Sequence, residues 1–141
     1  MRPLTLGVLA LLLFAPATAR GDRATTEAKA HFEQGNARYN LGEYREALEA
    51  YRRAYRVKPL PGFLFNVAQC HRNLGEYEEA ISFYERYLEA APATPNRVLV
   101  TSLLAESREK LLAKRRAQEE ETARRARAPA TQAAASAPAS A

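Results

Sequence analysis

The sequence predicts an all-α fold: two copies of a helix–turn–helix unit, followed by a capping helix and a disordered tail. The first observation is an internal repeat, because residues 40–48 (NLGEYREAL) recur at residues 73–81 (NLGEYEEAI) with seven of nine positions identical. The second is that the apolar residues of each copy follow a helical period. A period of 33 residues is typical of stacked units, each of which buries its apolar face only against a neighbour.

Length and composition limit the alternatives. A chain of 141 residues holds one domain. Its formal net charge of +5 is small and spread along the chain, so no nucleic-acid partner is expected. Because Cys70 is the single cysteine, an internal disulfide is excluded.

Residues 1–19 are predicted to be a secretory signal peptide. Arg2 precedes an apolar run over residues 4–14, and the small residues at 17–19 form a cleavage pattern. The run is shorter than the roughly 20 apolar residues that a membrane span needs, so we expect no span in the mature chain. The prediction is an exported protein, periplasmic or secreted, and the alternative is an uncleaved N-terminal anchor.

A short polar segment is expected to precede the two units. Residues 20–27 form this lead-in, in which Thr25 or Thr26 could cap the first helix. The first unit then covers residues 28–60, and the second unit covers residues 61–94.

Each unit is predicted to contain two helices joined at a glycine. The four helices are expected over residues 28–41, 43–57, 63–74 and 76–90. Gly42 and Gly75 separate the helices of each unit, since glycine tolerates the left-handed conformation that ends many helices. Pro59 and Pro92 end the two units, because proline cannot continue a helix.

The capping helix is expected over residues 95–127. Thr94 could cap it, with Pro95 at its first position. Its apolar stripe consists of Val100, Leu103, Leu104, Ser107 and Leu111. The charged stretch that follows could project into solvent or form a coiled coil with another copy, and residues 128–141, built from small and polar residues, should be disordered.

The repeat resembles the tetratricopeptide repeat. The residues that carry this resemblance are Gly35, Gly42, Tyr44, Ala47, Tyr51, Ala54 and Pro59 in the first unit, and Ala68, Gly75, Tyr77, Ala80, Tyr84 and Pro92 in the second. The resemblance implies a short right-handed α-solenoid of two repeats. The layout is also similar to short exported repeat proteins of Gram-negative bacteria, which again suggests a periplasmic or secreted protein.

The first helix of each unit lines the concave surface of tetratricopeptide arrays, so the resemblance implies a partner-binding groove. The residues that the register places there are Phe32, Glu33, Asn36, Tyr39, Asn40, Phe65, Asn66, Gln69, Arg72 and Asn73. Asparagine amides both donate to and accept from a peptide backbone, and Phe32, Tyr39 and Phe65 would be apolar anchors. The alternative is an ordinary solvated face. Asn36 and Asn66 coincide with asparagines that grip a C-terminal carboxylate in some family members, but Phe32 replaces their lysine, so no such grip is expected.

No constellation of catalytic residues, metal ligands or cofactor-binding residues is recognisable in the sequence. His31 and His71 are too far apart along the chain for a helical metal site, and Cys70 is expected to be a packed thiol, with an intermolecular disulfide as the alternative. We therefore expect a non-enzymatic interaction module that binds an unidentified protein or peptide. The alternative is a structural protein of the cell envelope that forms homo-oligomers through its C-terminal helix.

Overall fold

A computed structural model of the chain describes residues 17–135, with side chains described over residues 21–127. It contains five helices and, within residues 17–135, no strand. The helices are α1 (Ala17–Asn40), α2 (Tyr44–Val57), α3 (Pro61–Asn73), α4 (Tyr77–Ala90) and α5 (Arg97–Ala135). The predicted fold class of two helical hairpins followed by a further helix is confirmed. Most of the predicted signal peptide, residues 1–16, lies outside the described part of the chain.

The two hairpins turn in the same way. Gly42 and Gly75 have positive φ angles of 76° and 72°, which only glycine adopts without strain. After each glycine, a backbone amide reaches back to close the preceding helix: Glu43 N–H donates to the Arg38 carbonyl at 3.0 Å, and Glu76 N–H to the His71 carbonyl at 2.9 Å. These are Schellman motifs, in which backbone N–H groups just past the helix donate to carbonyls of its last turn.

Small and large side chains alternate at the centre of each hairpin. Ala47 and Ala80 are completely buried, which lets the paired helices approach closely, and Tyr51 and Tyr84 fill the space beside them. The approach of α2 to α1 is close at Gly35, because a Cβ atom there would lie 2.5 Å from Cε1 of Tyr51.

The fifth helix covers the open side of α4. Val100, Leu104 and Ser107 are buried against the second unit. The two helices run antiparallel, since Arg108 of α5 meets Glu85 at 2.7 Å and Lys114 Nζ donates to the Gly75 carbonyl at 3.0 Å. From Leu112 to the end of the described side chains every residue is exposed. The first part of α5 is thus a cap, and the remainder extends past the repeats.

The lead-in prediction for residues 20–27 is wrong, because this segment belongs to α1. Thr25 and Thr26 do not cap the helix; their hydroxyls donate to the carbonyls of Gly21 and Asp22, one turn back, at 2.8 and 2.9 Å. Lys58 adds an anchor by donating to the Thr25 hydroxyl at 2.8 Å. The segment lacks an apolar stripe, and these hydrogen bonds, together with the one from the residue that follows α2, accompany its helical backbone.

The limits predicted for the capping helix are also corrected. Thr94 lies in the turn before α5, where its hydroxyl contacts the Tyr87 hydroxyl at 2.6 Å, and the helix begins two residues after Pro95. At the other end α5 continues through residues 128–135, which were expected to be disordered. Alanine has the highest helix propensity, and an existing helix extends without a new nucleation cost; these favour the extension even though Pro129 lies within it and lacks the N–H group that a helix interior uses. Residues 136–141 lie outside the described part.

Between residues 17 and 135, no helix is both long and apolar enough to cross a membrane.

Candidate functional site

The predicted groove residues lie on α1 and α3, and a hydrogen bond joins the two helices across the repeat boundary. Asn73 Nδ2 donates to the Tyr39 hydroxyl at 2.8 Å and to the Gln69 carbonyl at 2.9 Å. Arg72 continues the line towards α5, with its Nη1 3.7 Å from Glu106. The first helices of both units therefore form one continuous face, which we call the groove face, with α5 at its far end.

Asn36 and Gln69 hold the two buried tyrosines. The Tyr51 hydroxyl donates to Asn36 Oδ1 at 2.8 Å, and the Tyr84 hydroxyl donates to Gln69 Oε1. The two bonds occupy equivalent positions in the two units. Burial raises the pKa of Tyr51 and of Tyr84 to about 12, so both hydroxyls remain donors. Sequence reasoning missed this role, although the equal spacing of these pairs in the repeat was a signal for it.

Phe32 and Phe65 are packed into the core rather than standing free as anchors. Phe32 lies 6.0 Å from Tyr51 and 5.8 Å from Phe63, measured between ring centroids. Phe65 similarly lies 6.1 Å from Tyr84 and 5.7 Å from Tyr87. Both phenylalanines are partly exposed, and their ring contacts stabilise the repeat.

Some of the remaining groove residues are exposed, and others are held by hydrogen bonds within the repeat. Glu33 and Asn40 are exposed and Asn66 is half-buried. Of these, the two asparagines make no side-chain hydrogen bond to any described residue. Arg72 is tied down, because its Nε donates to Gln69 Oε1 at 3.2 Å. Tyr39 is half-buried, and burial is the main cause of its raised pKa.

Glu106 brings a carboxylate from α5 to the end of the groove face. Lys110 lies 2.7 Å from it, and this hydrogen bond is the main reason why the pKa of Glu106 is lowered. Because Glu106 is shared between Lys110 and Arg72, the groove face ends in a mixed cluster of charges rather than in a basic or an acidic patch.

A second polar cluster, which the sequence did not reveal, lies at the turn between α3 and α4. His71 is buried, with Nδ1 2.7 Å from Glu76 and Nε2 3.3 Å from Arg52. Since an arginine can only donate, Nε2 accepts and the Nδ1 proton is directed at the carboxylate. In the first unit the equivalent pair is Arg38 and Glu43, at 2.6 Å. In each unit, this pair therefore links the end of the first helix to the start of the second.

Metal-ligating side chains and the single cysteine can be located in the described part of the structure. Over those residues, no three His, Cys, Asp or Glu side chains are placed to hold a metal ion. Cys70 is fully buried beside Ala47 and Val67, and burial raises its pKa to about 12. It is the packed thiol that the sequence predicted, and the protonated form is unreactive at neutral pH.

Comparison with known proteins gives one family. Residues 32–95 match the model of the tetratricopeptide repeat, a span that starts in α1, contains α2, α3 and α4, and ends in the turn before α5. No curated protein matches the chain.

Proposed function

The repeat region of this chain, residues 32–95, belongs to the tetratricopeptide repeat family, and on this premise we propose that the protein is an exported, non-catalytic module that holds a peptide segment or partner protein on its groove face. Tetratricopeptide repeats are protein–protein interaction modules. Export is proposed from the apolar run over residues 4–14 and the small residues that follow it.

The continuity of the groove face across the two units carries the proposal. The bond from Asn73 to Tyr39 joins α1 to α3, so a ligand lying across the repeats meets both helices at once. The opposite sides of the helices are occupied, since α2 packs between α1 and α3, and α4 packs between α3 and α5. The groove face is thus the side of the first helices that stays open to a partner.

No nucleic-acid partner is part of the proposal. Arginines on α5 are partly neutralised within the molecule, because Arg115 is bonded to Glu78, and Arg125 is bonded to Glu121. A mixed surface of this kind favours solvation over strong attraction to a polyanion.

The test is affinity capture from a bacterial envelope extract, with the mature protein compared with an Asn40→Ala, Asn66→Ala double variant. Neither asparagine bonds another described side chain, so their removal leaves the repeat intact. We expect the variant to lose the captured partner while circular dichroism shows unchanged helix content. The matched control is Gln34→Ala, Gln118→Ala, which removes two amides away from the groove face and should retain the partner. Equal capture by parent and double variant would contradict a role for the groove face.

A structural role in assembly is the second candidate, because α5 extends well past the repeats. Its residues from Leu112 to Arg127 are exposed and are available to another copy. Under this alternative the mass measured by light scattering rises with protein concentration and returns to the monomer value when residues 119–141 are removed. A constant monomer mass would exclude it.

A further inference from the structure

We propose that His71 is a proton switch at the junction of the two units: when its ring gains a proton, Arg52 is released and α2 loses its hold on the end of α3 and the turn before α4. The proposal goes beyond partner binding, because it concerns how the two units are held to one another. It starts from the surroundings of the histidine ring.

The His71 ring is buried but borders a cavity. Its residue is 3% exposed, and one face stacks on the Phe83 ring, with the centroids 5.4 Å apart and the planes at 14°. Beside the ring, between α2 and the turn before α4, lies an open cavity of about 380 Å³. Protons can therefore reach the ring while the protein stays folded. The other residues that line this cavity are Arg45, Glu46, Leu48, Glu49, Arg52 and Glu76.

The contacts of the two ring nitrogens require a neutral histidine. Nδ1 lies 2.7 Å from Glu76 Oε2 and donates to it, whereas Nε2 lies 3.3 Å from Nη2 of Arg52. An arginine can only donate, so Nε2 must offer its lone pair. A second proton on the ring would occupy this lone pair. Nε2 would then be a donor that faces another donor, and a positive ring would face a positive guanidinium group.

Arg52 has another acceptor within reach. Its Nη1 lies 3.6 Å from Glu49 Oε1, one turn earlier on α2. Glu76 keeps its bond to the charged ring, which becomes a stronger, charge-assisted bond. From α4 the ring meets Phe83, over which the guanidinium group of Arg86 lies at 4.7 Å. Protonation therefore moves Arg52 from His71 to Glu49 and leaves the histidine bonded to Glu76.

A second contact of α2 depends on the same pair. Arg45 Nη2 lies 3.3 Å from Glu76 Oε1. Once the carboxylate of Glu76 neutralises a charged His71 ring, it attracts Arg45 less strongly. One proton thus weakens both polar contacts between α2 and this turn. The buried apolar contacts between the units, among them Leu48 and Val67, remain, so the chain stays folded.

The first unit shows the same position in a permanently charged form. Arg38 and Glu43 occupy the positions of His71 and Glu76 in the repeat, and they form an ion pair at 2.6 Å. Arginine stays protonated at all ordinary pH values, whereas histidine is the side chain whose charge ordinarily changes between pH 5 and 8. Histidine in place of arginine therefore makes the second unit, and not the first, responsive to acid.

The groove face crosses the same junction, through the bond between Asn73 and Tyr39. A ligand that touches both units would be held less firmly once the junction loosens in acid. This consequence rests on the proposed function, but the switch itself does not. Its tests therefore use no ligand.

The first test is NMR on the full chain. His31→Gln leaves His71 as the single histidine, so the nitrogen-15 signals of the ring report on it alone as the pH is lowered from 8. We expect a neutral ring with its proton on Nδ1, then protonation while the protein remains folded, with the guanidinium signals of Arg52 changing at the same midpoint. Arg38, paired with Glu43, is the internal control and should not change at that midpoint.

The second test is a double-mutant cycle. Arg52→Met removes the donor, and His71→Phe keeps a ring against Phe83 but removes both nitrogens. Urea unfolding is measured above and below the NMR midpoint. Above it we expect a coupling of about fivefold in the unfolding equilibrium constant, because the two substitutions remove the same hydrogen bond. Below it the coupling should be lost. Arg53→Met, at the neighbouring exposed arginine, is the matched control and should show no coupling to His71→Phe at either pH.

Three results would overturn the proposal. The first is a His71 ring that stays neutral until the chain unfolds, and the second is equal coupling above and below the midpoint. The third is an Arg52 signal that changes in the same way in the His71→Phe variant, since it would then report a carboxylate such as Glu49. If His71→Phe does not fold, the NMR midpoints of the ring and of Arg52 decide alone. None of these results affects partner capture by the groove face.

Discussion

Gly35 and Tyr51 show how closely α1 and α2 are packed. The Tyr51 side chain is almost fully buried, and its hydroxyl is held by Asn36. The ring therefore cannot move aside to admit a methyl group at position 35. Gly62, at the start of α3, differs because a Cβ atom there would meet nothing within 4 Å.

Gly35→Ala should destabilise the protein, whereas Gly62→Ala should not. A Cβ at position 35 would lie 2.5 Å from Tyr51, and overpacking of this kind costs about 1–3 kcal/mol. At position 62 alanine restricts the unfolded chain and should stabilise by roughly 0.4–1 kcal/mol. Urea unfolding monitored by circular dichroism gives both free energies. Equal unfolding midpoints for the two variants would show that Tyr51 has room to move.

The sequence predicted which residues pack but not which polar groups they meet. Gly35, Ala47 and Tyr51 were recognised because the repeat places them at fixed positions. The bond between Asn36 and Tyr51 was not predicted, because it depends on the angle between two helices. The cluster around His71 was missed for the same reason, since its partners come from α2 and from the turn before α4.

At the scale of elements, the helices differ in how their ends are determined. The ends of α2, α3 and α4 were predicted to within two residues, because glycine or proline lies beside each end. The start of α1 and the end of α5 were placed too far inside. The added segments, residues 17–27 and 128–135, are rich in alanine, which forms helix readily, and they contain no large apolar residue that would give a helical period.

Removing parts of α5 should separate its cap from its extension. A chain ending at Asn96 loses Val100 and Leu104, which cover Leu64 and Tyr84. Burial of the two lost side chains is worth roughly 3–6 kcal/mol, at about 1.5–3 kcal/mol each. A chain ending at Gln118 keeps both residues and serves as the control. Thermal unfolding should show a large loss of stability for the first chain and almost none for the second. Similar melting temperatures for the two would mean that α5 is not a cap.

At the scale of the whole molecule, three weakly acidic side chains are buried in the core of the repeats: Tyr51, Cys70 and Tyr84. The pKa values of Tyr51 and Tyr84 are raised from 10.0 to about 12, and that of Cys70 from 9.0 to about 12, chiefly by burial. The folded protein therefore holds these protons more tightly than the unfolded chain does. Their contribution to stability is complete below the unfolded pKa values and is lost as the pH rises through the folded ones.

The protein should consequently become less stable in alkali well before its arginines titrate. We expect the urea midpoint to fall steadily from about pH 9 to about pH 12, the window between the unfolded and folded pKa values. Cys70→Ala should start its decline about one unit higher, at the unfolded pKa of tyrosine near 10. Midpoints measured at closely spaced pH values test both statements. A midpoint that is constant up to pH 12 would contradict the burial of these groups.

The unequal length of the helices has a hydrodynamic consequence. At 1.5 Å per residue α5 is about 58 Å long, whereas α2 is about 21 Å long. The segment beyond Gln118 therefore adds little mass but much drag. We expect this one helix to slow sedimentation and diffusion more than the mass of its extension alone would.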